Sequence, residues 1–193
     1  MSRVESQAVA GFYATPEDQV PRIAALLRLE EYEDETYANL RASLLDPCAG
    51  EGAAVEQVAR ILAKPIETAR IRLRDKAREE TRQEREAKGL PPIEYSADDD
   101  REVGKVSGVD LYTVEMERGR YKVLKDRPGF EWRSKQWALH GDAFCASFTP
   151  ARESGVGLLY LNPPYDIDKA CKRTEERFLR RFTAALAPGG VLV

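Results

Sequence analysis

Among the 193 residues of this chain, the tetrapeptide Asn162-Pro163-Pro164-Tyr165 defines a chemistry most narrowly. Its two prolines remove two backbone donors, and Pro164 holds Pro163 in an extended conformation. What remains is a stiff array of acceptors, the Asn162 amide oxygen and the Pro163 carbonyl. Both can accept hydrogens from a planar amine, which draws the nitrogen lone pair out of conjugation and toward an electrophile. Tyr165 adds an aromatic face for a base turned out of a duplex. This chemistry needs no strong general base. The single histidine, His140, reads as a structural residue.

Three further clusters have the residue types for holding a nucleoside-like ligand. In Asp46-Pro47-Cys48-Ala49-Gly50-Glu51-Gly52, the two glycines permit positive φ and close approach of a ligand to the main chain. Asp46, at the tip of a short apolar run, can accept a hydrogen bond from a cationic ammonium or an ordered water. Glu115, in Val114-Glu115-Met116-Glu117, stands where an acid after the next strand accepts from ribose hydroxyls. It is preferred to Glu117 because it lies nearer the apolar strand. In Gly141-Asp142-Ala143-Phe144, Asp142 can accept from the exocyclic amine of adenine while Phe144 walls the ring. Taken singly, each of these three fits a structural turn or a solvated acid equally well.

The elements that must position these clusters follow an α/β rhythm. Helical spacing of Val20, Ile23, Ala24 and Leu27 predicts a helix over 17–29. A strand ends in Ser43-Leu44-Leu45, the glycine turn follows, and a helix covers 53–63. This strand–turn–helix order opens a nucleotide-binding unit. Residues 64–108 differ in character: 66–88 is dense in Arg and Glu and predicts a solvated helix, stopped by Gly89-Leu90-Pro91-Pro92. The stretch reads as a charged insertion, and its removal restores the usual spacing between the glycine turn and Glu115. Strands are expected at 109–116, ending at Leu139-His140, and at 157–161. A helix presenting Cys171, Phe178, Leu179, Phe182 and Leu186 on one side follows. Pro188-Gly189-Gly190 then turns the chain into a further strand at Val191-Leu192-Val193.

Composition sets the outer bounds. Apolar residues make up 42% of the chain, an ordinary share for one folded core, and no apolar run reaches membrane-span length. The N-terminus lacks the apolar core of a secretory signal. Three scattered cysteines form neither a CxxC pair nor a disulfide framework, so a cytoplasmic location is expected and a zinc site is not. Thirty Lys and Arg against 33 Asp and Glu give a formal charge of −3. That balance argues against a free-standing nucleic-acid binder and suits a catalytic module whose DNA grip lies elsewhere.

In order and content these motifs resemble the adenine-N6 DNA methyltransferases of type I and gamma-type restriction–modification systems. Gly11-Phe12-Tyr13-Ala14-Thr15-Pro16 is similar to their N-terminal motif, although Ala14 interrupts the more usual Phe-Tyr-Thr-Pro sequence. The 46–52 turn looks like their cofactor loop, and Asn162-Pro163-Pro164-Tyr165 their catalytic tetrapeptide. The resemblance implies a Rossmann-like, doubly wound, mostly parallel sheet of the class I methyltransferase type, with S-adenosyl-L-methionine as cofactor. It places Tyr13, Thr15 and Pro16 at the methionine end of that cofactor and Asp46, Gly50 and Gly52 along its backbone side. Glu115 falls on the ribose, Asp142 and Phe144 on the adenine, and Asn162, Pro163, Pro164 and Tyr165 on the target amine.

The same resemblance makes residues 190–193 the start of a fifth strand, with two further strands and a target-recognition domain lying outside the chain. It implies that this chain alone shows little or no methylation of DNA, being either a truncated product or one that a second polypeptide completes. Two alternatives stay open. RNA base and protein glutamine methyltransferases use the same tetrapeptide, with the N-terminal motif favouring DNA. A non-catalytic subunit that keeps only the fold is a reading of a different class.

Overall fold

The computed structural model describes residues 14–27, 42–96, 108–127, 135–147, 155–164 and 173–193. Tyr13, Tyr165 and Cys171 lie outside them. Among the described residues, five strands form one sheet: β1 (Ala42–Asp46), β2 (Val109–Glu115), β3 (Lys135–His140), β4 (Val156–Leu159) and β5 (Leu186–Leu192). Their spatial order is β3-β2-β1-β4-β5, and every pairing is parallel. β1 lies in the middle, between β2 and β4, so the winding direction reverses between β1 and β4. In open α/β sheets the crevice at such a reversal, outside the carboxyl ends of the strands, is where ligands bind.

Alternation along the strands sends consecutive side chains to opposite faces of the sheet. Leu44, Val109, Leu111 and Leu158 join one core cluster and Leu45, Tyr112, Val114 and Leu159 the other. The first face is covered by α1 (Val20–Ala24), α2 (Ala53–Ala87) and α3 (Arg118–Asp126), through Val20, a stripe from Val55 to Ile66, and Leu124. The second face is covered by α4 (Thr174–Phe182), whose Phe178 and Phe182 pack on Leu45 and Leu159. Helices on both faces make the sheet doubly wound, as the sequence predicts.

Several element boundaries differ from the expectation. The first helix is shorter, spanning Val20–Ala24. The helix expected over 53–63 does not stop there: α2 runs 35 residues without a break, absorbing most of the charged arm and carrying Pro65 inside it. Pro65 is exposed, so its ring lies on the solvent side of the helix rather than in the core. Meanwhile Leu62, Ile66 and Ala69, buried on the opposite stripe, carry the helix past it. Beyond Arg70 no residue of α2 is buried, and about 25 Å of helix projects past the sheet at 1.5 Å per residue. The segment after it returns alongside: Arg85 Nε donates to the Pro91 carbonyl at 2.8 Å, and the Arg78 guanidinium lies 4.2 Å from the Tyr95 ring centre.

The last strand differs too. Leu186 belongs to β5 rather than to the preceding helix, and Leu179 is exposed. A short 3-10 turn over Thr183–Ala185 separates helix from strand. The Pro188-Gly189-Gly190 step is contained within β5 as an irregularity. Val156 pairs with Leu186 and Leu158 with Val191, so the extra residues bulge out of the ladder. No helix among the described residues is long and apolar enough to cross a membrane.

Candidate functional site

Four loops leave the carboxyl ends of β1 to β4 and meet around one cleft, which encloses about 240 Å³. Pro47 and Cys48 contribute from the first loop; Glu115, Met116 and Arg120 from the second; Gly141, Asp142, Ala143 and Phe144 from the third; Asn162 and Pro164 from the fourth. Thr174 and Phe178 of α4 close the side. Backbone bonds hold these loops in register. Tyr160 N donates to the Leu45 carbonyl at 2.9 Å, Ala49 N to Val114 at 3.0 Å, and Gly141 N to Glu115 at 3.0 Å.

In the first loop both glycines take the left-handed conformation, with φ of 58° at Gly50 and 81° at Gly52. An L side chain is strained there, which accounts for glycine at both positions. Gly52 also caps α2, and its amide donates to the Ala49 carbonyl at 2.9 Å. Asp46 is 3% exposed, with Oδ1 accepting from the Cys48 amide at 3.0 Å. Burial raises its carboxyl from 3.8 to about 7, and the Glu115 charge adds to the rise, against the lowering effect of the Cys48 hydrogen bonds. The Cys48 thiol is likewise pushed well above its ordinary value, by burial first and then by Asp46, although a bond with the Asn162 backbone works the other way. The thiol is therefore neutral and ties the first loop to the fourth.

Glu115 ends β2 and is 5% exposed. Its Oε2 accepts from the Gly50 amide at 2.9 Å, a contact spanning 65 residues of sequence. Its Oε1 accepts from the Glu117 amide at 2.7 Å and from Arg120 Nε at 3.0 Å, with Arg120 Nη2 also at 3.0 Å. Glu117 has a different occupation. It caps α3, accepting from the Gly119 and Arg120 amides, and these bonds lower its carboxyl below the usual value. Glu115 thus lines the cleft and Glu117 caps the helix.

Asp142 is exposed, and its Oδ1 accepts from the Phe144 amide at 2.9 Å, closing a tight turn at the cleft wall. The Phe144 ring packs edge-on against Phe178 at 4.7 Å, while the Arg177 guanidinium lies 4.5 Å from its centre. His140 is exposed, its Nε2 3.1 Å from the Met116 carbonyl and its ring stacked on Tyr121, which fits a structural role.

Asn162 follows β4 directly and is half-buried; Pro163 is buried and Pro164 half-buried. Asn162 Nδ2 donates to Thr15 Oγ1 at 3.1 Å, and Thr15 Oγ1 lies 2.6 Å from the Tyr160 hydroxyl. With the NH2 group turned to Thr15, the amide oxygen is the opposite end of the side chain. Thr15 therefore orients Asn162, while Pro16 is exposed and stands outside the residues that line the cleft. Sequence reasoning missed Arg120, Cys48 and Tyr160 as site residues. Cys48 and Tyr160 adjoin recognised motifs and were open to detection. Arg120 sits in the first turn of α3, five residues past Glu115, and nothing in the sequence distinguishes it from the other arginines nearby. No cluster of metal-ligating side chains occurs among the described residues.

A parallel sheet ordered 3-2-1-4-5, doubly wound, with its cleft at the β1/β4 reversal, is the Rossmann-like fold of class I methyltransferases. Two solved structures show the likeness. One is a Listeria monocytogenes protein assigned to the class I S-adenosylmethionine-dependent methyltransferases, with a TM-score of 0.50 and 15% identity over 92% of this chain and 44% of that one. The other is a methyltransferase subunit of a type I restriction–modification system from Streptococcus thermophilus, with a TM-score of 0.51 and 14% identity over 94% of this chain and 34% of that one. This chain spans less than half the length of either. No protein-family profile and no curated protein matches the sequence.

Proposed function

We propose that this chain forms the cofactor-binding and amine-binding face of an S-adenosylmethionine-dependent methyltransferase that acts on the N6 amine of adenine in DNA. The observation that carries the reading is the position of Asn162. It stands at the carboxyl end of β4, on the same cleft as the Cys48 loop, Glu115 and Asp142. The site's chemistry fits the cofactor. Two left-handed glycines admit close backbone approach, the buried acid Asp46 ends β1 next to the cleft-lining Pro47 and Cys48, and Ala143, Phe144 and Phe178 form an apolar wall.

When bound, the cofactor supplies a methyl group on a positively charged sulfur. The chain's own part is to place the nucleophile. The Asn162 oxygen and the Pro163 carbonyl accept the two amine hydrogens, so the nitrogen presents its lone pair rather than an N–H. Pro163 and Pro164 keep competing donors out, and Thr15 keeps the Asn162 amide from turning over. Tyr165 stacks the extruded base in this reading. Adenine in DNA is preferred to RNA or protein amides because of the Phe12-Tyr13-Ala14-Thr15-Pro16 motif and the likeness to a restriction–modification subunit. That likeness also motivates a partner polypeptide for target recognition.

The test separates binding from transfer. Calorimetry with S-adenosylmethionine is expected to show saturable binding that Asn162→Ala leaves nearly unchanged. Transfer of a labelled methyl group to duplex DNA, measured with any completing subunit present, is expected to fall at least a hundredfold in that variant. Asn162→Ala with undiminished transfer would overturn the catalytic assignment, and labelling of RNA or protein instead of DNA would overturn the substrate.

A further inference from the structure

The ribose subsite is not a lone carboxylate. An ionised carboxylate offers about four lone-pair positions, two on each oxygen. On Glu115, Oε1 already receives the Glu117 amide and Arg120 Nε, and Oε2 receives the Gly50 amide. A ribose presents two adjacent hydroxyls, and a carboxylate that holds both uses a free position on each oxygen. Here the count leaves one, on Oε2. The second hydroxyl needs another group on the same wall of the cleft.

Arg120 is that group. It lines the cleft beside Glu115 and Met116, its side chain is 14% exposed, and the ion pair with Glu115 fixes its guanidinium plane. A guanidinium carries five N–H donors in a fixed fork and no acceptor, so toward a hydroxyl it can act only as donor. We infer that Arg120 is a ligand-binding and specificity-determining residue: one ribose hydroxyl donates to Glu115 Oε2, and the oxygen of the other accepts from the Arg120 guanidinium. This inference rests on the cofactor reading above and sharpens it. The two hydroxyls are recognised with opposite polarity, one as donor and one as acceptor. A pocket of this kind discriminates against a ribose lacking the accepting oxygen, because the contact between that oxygen and the guanidinium is lost.

The experiment compares ligands as well as variants, so that a merely structural role for Arg120 gives a different answer. S-Adenosylhomocysteine and its 2′-deoxy and 3′-deoxy derivatives are titrated by calorimetry into the native chain, Arg120→Met and Arg120→Lys. In the native chain, both deoxygenations are expected to weaken binding, each by about tenfold. In Arg120→Met one of the two penalties is expected to collapse below about threefold, with the other retained. Arg120→Lys is expected to restore part of the lost penalty through its single ammonium. Equal penalties in the native chain and in Arg120→Met refute the inference, as does a native chain indifferent to one of the deoxygenations. If Arg120→Met fails to fold, Arg120→Lys decides, since unchanged penalties and uniformly weaker binding there speak for packing alone. A native chain that binds none of the three ligands brings down the cofactor reading itself, which is a separate outcome.

Discussion

Replacing Asp46 by Asn isolates what the site's burial does to a charge. The carboxyl is 3% exposed at the sheet's carboxyl edge, and burial raises it from 3.8 to about 7. Between about pH 4 and 7 the folded chain keeps a proton on Asp46 that the unfolded chain has lost. Stability on this account falls as pH rises through that window and levels off above it. A carboxyl displaced this far costs the folded state about 4 kcal/mol once ionised. In Asp46→Asn the amide oxygen still accepts the Cys48 amide, which donates at 3.0 Å in the native chain, but nothing ionises. Any fixed cost of the new NH2 group is independent of pH. The variant is therefore expected to gain on the native chain by about 2–4 kcal/mol between pH 4.5 and 8.5. Urea unfolding at four pH values across that range, with the slope checked for constancy, measures the difference directly. Titrating groups away from Asp46 are shared by both chains and cancel. Stability curves that run parallel through the whole range would refute the burial argument. The same carboxyl predicts a response to ligand: a cation brought close to Asp46 lowers its pKa, so uptake of S-adenosylmethionine at pH 6 releases protons, detectable as a dependence of binding heat on buffer.

Thr15→Val keeps the shape of residue 15 but removes the hydroxyl that holds Asn162 at 3.1 Å. Transfer is expected to fall about five- to tenfold with affinity for S-adenosylhomocysteine nearly intact. A larger loss in affinity than in kcat would return Thr15 to the cofactor contact that the family resemblance implies. Arg127 follows α3 and reaches the glycine turn from outside, donating to the Glu51 carbonyl at 2.5 Å and pairing with Glu56 at 2.6 Å. Arg127→Ala is expected to lower stability by about 1–3 kcal/mol and to weaken ligand binding, with denaturation and calorimetry as the readouts. Gly155 has φ of 108°, and a Cβ there would lie 2.7 Å from the Ala185 carbonyl oxygen and 2.8 Å from the Ala187 amide. Gly155→Ala should cost about 2–4 kcal/mol, against about 1 kcal/mol for Gly89→Ala, where φ is also positive but no atom lies within 4 Å of the added carbon.

What the sequence alone determined is local. The Asn162-Pro163-Pro164 acceptor array follows from covalent structure, because proline carries no N–H and restricts the residue before it. The turn at Gly50 and Gly52 follows from the left-handed backbone that only glycine adopts without strain. Five strands were legible because apolar runs and flanking turns are short-range signals, whereas their parallel pairing was implied only by the family resemblance. Tertiary structure decided whatever depends on which segments pack together. Leu62, Ile66 and Ala69 carry α2 through Pro65 because a buried stripe on one face outweighs a helix breaker on the exposed one. The contact between Asn162 and Thr15 spans 147 residues of sequence and that between Glu115 and Gly50 spans 65, and no local pattern specifies either. Arg120 is one arginine among many until the end of β2 sets a carboxylate beside it. The raised carboxyl of Asp46 arises in the same way: a residue's type supplies the charge, but the atoms folded around it determine how much water that charge gives up.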